Sequence, residues 1–95
     1  MLKSEAIEFH EMRDFLVLAK NPCITDAASE LHIAQPALSR KVRKLEGTLG
    51  VELLDRRNRN RFRLSPAGEV FAMGCRAILA AVDEAFERTR LTCDK

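Results

Sequence analysis

The chain has 95 residues, 46% of them hydrophobic and 32% charged, with a formal net charge of +2, which suits one ordinary globular domain at a size where oligomerisation often adds stability. No run of about 18 apolar residues occurs, and the opening MLKSEAIEFHEMRD alternates charged with apolar residues, so no membrane span or secretory signal is expected and the location expected is cytoplasmic. The charge is unevenly spread: from Arg40 to Arg63 nine Lys or Arg stand against three acids, Glu46, Glu52 and Asp55, a surplus of six positive charges that leaves the rest of the chain with four more acids than bases. Such asymmetry is the footprint of a surface that meets a polyanion.

In chain order, Phe9, Met12, Leu16 and Ala19 recur at helical spacing, with Phe15 and Leu18 widening the apolar stripe, which predicts a first helix over roughly residues 8 to 20. Asn21 and Pro22 end it. A short second helix is expected to begin at Ile24 and Thr25, the Thr hydroxyl capping and Ile24 acting as a hydrophobic staple. Ala27, Ala28 and Leu31 face inward, and the helix stops by about His32, because the residue before Pro36 is disfavoured in helical geometry. A third helix, 35 to 49, takes Pro36 in its first turn, where a missing N–H costs nothing. Its apolar stripe is Leu38, Val42, Leu45 and Leu49, and Gly50 closes it.

Two helices joined by so tight a turn fit a helix-turn-helix. Opposite the stripe, the third helix carries Gln35, Pro36, Ser39, Arg40, Arg43 and, further round, Lys44. Guanidinium and carboxamide groups can read base edges in a major groove, Pro36 can meet a thymine methyl, and Ser39 suits a phosphate oxygen.

Residues 55 to 65, DRRNRNRFRLS, hold five arginines. Phe62 and Leu64 alternate with Arg61 and Arg63 in strand fashion, and the asparagines between Arg57 and Arg61 supply turn formers, so a two-stranded wing over 55 to 63 is expected. Its tip arginines suit a narrow minor groove. Ser65 then caps, and Pro66 opens, a last helix of about 26 residues and roughly 39 Å. It outruns the bundle before it, yet Ile78, Ala81, Val82, Ala85 and Phe86 continue an apolar stripe, which implies pairing with the same helix of a second copy.

The runs ITDAASELHIAQPALSRKVRKLEGTLGVELLDRR and RLSPAGE resemble the N-terminal DNA-binding domain of LysR-type transcriptional regulators, from about Glu8 to Leu91. The resemblance implies a mainly α fold: a winged helix-turn-helix over 1–65, with a three-helix core and a two-stranded wing, and a long dimerisation helix over 66–95. It implies a dimer on double-stranded DNA, an AT-rich interrupted inverted repeat, with recognition helices in successive major grooves and wings in the flanking minor grooves. DNA contacts carried over fall on Gln35, Pro36, Ser39, Arg40, Thr25, and Arg57 or Arg59. Arg43 joins them from its place on the helix, and Phe71 joins the pairing set. The wing looks one residue longer than the common form. A small-molecule effector and a tetramer belong to a longer parent with a C-terminal domain, and the chain is expected to be a piece of such a regulator or a natural single-domain relative.

Three cysteines, Cys23, Cys75 and Cys93, are odd in number and widely spaced, and fit reduced core or surface thiols without a metal site. No cofactor is expected. No catalytic constellation is recognisable, so the chain is not read as an enzyme. A protein-interaction module built on the long helix, and sequence-blind nucleic-acid binding, stay open as alternatives; against the second, the phenylalanines sit mainly on apolar stripes and there is no Trp or Tyr for base stacking.

Overall fold

A computed structural model of the protein describes residues 7–21, 23–57 and 61–93. Four helices and a hairpin follow in the order α1 (Phe9–Ala19), α2 (Ile24–Leu31), α3 (Gln35–Leu49), β1 (Leu54–Asp55), β2 (Arg63–Leu64) and α4 (Pro66–Cys93). This is the winged helix-turn-helix with a long terminal helix that the sequence predicts.

The buried face of α1 is Glu11, Phe15 and Leu18, so the helix is rotated from the stripe expected. Phe9 is 47% exposed, and Met12, Leu16 and Ala19 are half-buried. Glu11 shares the buried face with Phe15 and Leu18, and its carboxylate is held at both oxygens. The Glu8 backbone N–H donates to Oε1 at 2.9 Å, tying off the helix start, and Lys44 Nζ of α3 donates to Oε2 at 3.0 Å. A buried carboxylate is tolerated only with such partners.

Helix α2 is preceded by Cys23 in extended geometry and has no side-chain cap. Thr25 is therefore not the cap expected. It lies within the first turn, and its hydroxyl turns towards Gln35. Ala27 and Ala28 are buried, and their small side chains let α2 sit close to α3. The helix ends at His32, which takes a left-handed backbone (φ 60°). Ile33 N–H then reaches back to the Ala28 carbonyl at 3.0 Å, the closing bond of a Schellman-type end. Leu38, Val42 and Leu45 of α3 are buried as predicted, but Leu49 is 38% exposed. The stripe stops one turn early because Gly50, at φ 76°, turns the chain and Leu53 takes the core position instead.

The hairpin is antiparallel, with Leu54 opposite Leu64 and Asp55 opposite Arg63. Phe62 and Leu64 pack on the core while Arg61 and Arg63 are exposed, as the alternation predicts. Arg59, its flanking asparagines and the expected extra residue of the wing lie outside the described residues.

At the start of α4, Ser65 Oγ accepts from Gly68 N–H at 2.9 Å, the predicted cap. The same hydroxyl donates to the Glu52 carbonyl at 2.6 Å, and Ser65 N–H donates to the Leu53 carbonyl at 2.9 Å. Gly68 rides directly on Leu53: a Cβ there would stand 2.2 Å from the Leu53 carbonyl oxygen. Ala72 and Cys75 continue into the core, and the Phe71 ring packs on Phe15 with centroids 5.2 Å apart. Phe71, expected on the pairing face, is half-buried against the domain's own core. Beyond Cys75 the 28-residue helix leaves the bundle, with Ile78, Phe86 and Leu91 well exposed. At 1.5 Å per residue it is about 42 Å long.

Gly68→Ala is expected to lower the unfolding free energy by about 1–3 kcal/mol or more, from overpacking against fixed backbone. Gly47 of α3 has open space where its Cβ would stand, so Gly47→Ala is expected to raise stability by roughly 0.5–1 kcal/mol. Urea unfolding of the two variants checks both signs.

Candidate nucleic-acid interface

The N-terminal half of α3 presents Gln35, Pro36 and Arg40 as exposed residues, with Ser39 half-buried beside them and exposed Arg43 one turn further on. Pro36 has no N–H, Ala34 offers no side-chain cap, and the first turn carries no acid. The positive end of the helix dipole is therefore left uncompensated at the surface, where an anion is favoured. Thr25 of α2 meets this end: its Oγ1 donates to Gln35 Oε1 at 3.4 Å. Thr25 and Gln35 thus form one polar surface across the turn of the motif.

Ion pairing divides the basic run into two sets. Lys41 pairs with Asp14 at 3.5 Å and Lys44 with Glu11 at 3.0 Å, both tying α3 to α1. Arg56 closes on Glu46 with two bonds, at 2.9 and 3.2 Å. Arg40 and Arg43, by contrast, make no ion pair among the described residues. The lysines and Arg56 thus serve the fold, and the two arginines of α3 keep their charge for solvent or a ligand.

In the wing, Arg57 is 91% exposed but clasped by Asp55, from Nε at 2.9 Å and from its terminal nitrogen at 2.5 Å. That guanidinium and the Arg57 amide hold the Asp55 carboxyl down to about 2. A shallow groove between α3 and the wing base is lined by Arg43, Arg56, Arg57, Arg63 and Ser65. Three residues that sequence reasoning passed over matter here. Glu46 and Asp55 count in the sequence only as acids within the basic run, and Glu11 has no role there, yet each fixes where a cation points. For Glu46 and Asp55 the sequence signal is an acid inside the basic run; Glu11 carries none.

Glu11 is held below the usual carboxylate range by the Glu8 amide and then, against burial, by Lys44. For Glu46, burial works upwards, but Arg56 and the Leu53 and Leu54 amides outweigh it and the net shift is downwards. Burial pushes the Cys75 thiol up to about 11, which suits an inert core residue; Cys23 is half-buried and Cys93 exposed. Among the described residues no cluster of three or more His, Cys, Asp or Glu could hold a metal ion, and no helix is long and apolar enough to cross a membrane.

The family described as bacterial regulatory helix-turn-helix protein, lysR family, matches residues 9–69. The chain belongs to this family. Among curated relatives, the HTH-type transcriptional regulator BsdA of Bacillus subtilis is 38% identical over 79 residues, covering 83% of this chain and 27% of the relative. The Hca operon transcriptional activator HcaR of Escherichia coli is 39% identical over 84 residues, 88% of this chain and 28% of its own length. The chain thus spans little more than a quarter of the length of these regulators. Among solved structures, the BenM DNA-binding domain in complex with catB site 1 DNA superposes with a TM-score of 0.83 at 32% identity, covering 94% of this chain and 98% of that one. The DNA-binding domain of CbnR in complex with DNA gives 0.84 at 32% identity, over 90% and 98%.

Lowered carboxyl groups contribute stability above their unfolded pKa and lose it as pH falls through the folded value. The unfolding free energy is therefore expected to be level near neutrality and to drop below about pH 4, the ordinary carboxylate range. Glu11→Gln should flatten that acid limb in urea titrations at stepped pH, whereas an unaltered limb would assign it to other carboxylates.

Proposed function

We propose that the chain is the sequence-specific, double-stranded DNA-binding part of a bacterial transcriptional regulator, a binding module with no catalytic role that works in the cytoplasm. The single observation that carries the reading is the division of the basic run. Arg40 and Arg43 stand at the surface of α3 without an acidic partner among the described residues, while Lys41, Lys44 and Arg56 are consumed by the fold. A merely solubilising surface gives no reason for that sorting. The DNA complexes of BenM and CbnR support it from outside.

In this reading α3 lies in the major groove, with Gln35, Pro36 and Arg40 towards base edges and Ser39, Arg43 and Thr25 towards phosphate. The wing reaches the minor groove through Arg57 or Arg59, and for Arg57 entry means exchanging Asp55 for the groove's negative potential. Residues 1–65 carry the binding, and 66–95 pair two copies through Ile78, Ala81, Val82, Ala85 and Phe86. The support for pairing is the apolar stripe on the outer half of α4, where Ile78 and Phe86 stand exposed beyond the bundle. A two-fold dimer reads an interrupted inverted repeat, here AT-rich by the family resemblance. An effector and a tetramer belong to a longer protein with a sensing domain.

Arg40→Ala is expected to weaken binding to the best site by about 1–3 kcal/mol and to relax preference at one base position. Fluorescence anisotropy with an operator selected from random duplex, against random competitor at fixed salt, measures both. Undiminished affinity would remove Arg40 from base readout. In sedimentation, two chains are expected at micromolar concentration, and Val82→Glu should return the monomer; a strictly monomeric parent would defeat the pairing.

A further inference from the structure

We infer that Glu46 is a positioning residue that sets the direction of the wing relative to the recognition helix, and with it the spacing between a major-groove half-site and the minor-groove tract beside it. The inference rests on the DNA-binding reading above and adds a determinant that touches no DNA.

Glu46 lies in the last turn of α3, one turn before Gly50, with a side chain only 11% exposed. Its Oε2 accepts from Leu53 N–H at 2.8 Å, from Leu54 N–H at 3.4 Å and from the Arg56 guanidinium at 3.2 Å, and its Oε1 accepts from Arg56 at 2.9 Å. One carboxylate thereby grips the entry to β1 and, through Arg56, its exit. Among the described residues, every hydrogen bond from the stretch 51–57 to α3 ends on this carboxylate.

The hairpin beyond has little stiffness of its own, since each strand has two residues and a lone short hairpin is marginal in water. Leu53 and Leu54 are buried, and Ser65 and Gly68 hold the Leu53 carbonyl from the other side. Apolar burial therefore keeps the wing base in place without Glu46. What the carboxylate adds is direction. Two charge-assisted bonds to a planar guanidinium fix an angle that burial alone does not. Loss of the charge should leave the fold intact and let the wing swing, so that the half-site and the tract no longer need one fixed separation.

The test uses an operator selected from random duplex, and a second duplex in which the A/T tract is moved two base pairs away from the half-site. Wild type is expected to prefer the selected spacing by about tenfold, which corresponds to roughly 1.4 kcal/mol. In Glu46→Gln, and independently in Arg56→Gln, that ratio is expected to fall to about twofold or less, a spacing effect carried by shape and not by base contacts. Thermal melts identify any variant that fails to fold, in which case the other carries the test. Variants that keep the wild-type ratio, whether their affinity is unchanged or uniformly weaker, would overturn the inference and leave Glu46 a stabilising residue only. A wild type that binds the operator specifically but ignores tract spacing would also overturn it. Wild type that fails to prefer the operator over random duplex would instead defeat the DNA-binding reading.

Discussion

The backbone of Leu53 is the point on which three parts of the molecule converge. Its N–H is taken by Glu46 at the end of α3, its carbonyl by the Ser65 amide at the end of the wing, and its side chain is fully buried. Gly68 of α4 lies so close above that carbonyl that no side chain fits between. A buried backbone segment outside regular structure must find partners for both its polar groups. Here the partners come from different elements, so satisfying the backbone of one residue also fixes the recognition helix, the wing base and the long helix relative to one another.

The same economy governs charge. A basic surface that binds a polyanion must also fold without tearing itself apart through like-charge repulsion. The chain meets this by giving its acids to some of the cations: Glu11 and Asp14 of α1 anchor Lys44 and Lys41 of α3, and Glu46 anchors Arg56. Arg40 and Arg43 of the same helix are left to the solvent. Asp55 is the exception, since it clasps Arg57 at the surface, and neutralises part of the wing's charge in the free protein.

Most of the architecture was legible because it is written in local patterns. Pro36, Gly50 and the Ser65–Pro66 pair punctuate the helices, and the residues Leu38, Val42 and Leu45 carry a periodicity that burial confirms. What escaped is what local pattern cannot hold. The buried place of Glu11 on α1 is matched by Lys44, 33 residues away. The left-handed turn at His32 uses a residue with no glycine-like signature, and Thr25 gives up the capping role its position suggests for a bond across the turn to Gln35. In the site, residue types and spacing named the exposed face of α3, but not which cations are already spoken for. Lys41 and Arg40 are neighbours of equal charge in the sequence, and only the position of Asp14 separates their fates.

The way α4 begins has a consequence for anyone who would splice this module to another protein. Gly68, Ala72 and Cys75 are among its most deeply buried residues and Phe71 completes the packing around Phe15, so the first two and a half turns of the helix are part of the bundle's wall. A junction made at the helix start, where sequence punctuation invites a cut, would remove that wall and leave Leu53 uncovered. A transplantable module extends past Cys75, and the foreign segment that follows must continue the helix in phase. Each residue added or deleted at the junction would turn whatever it carries by about 100° around the helix axis.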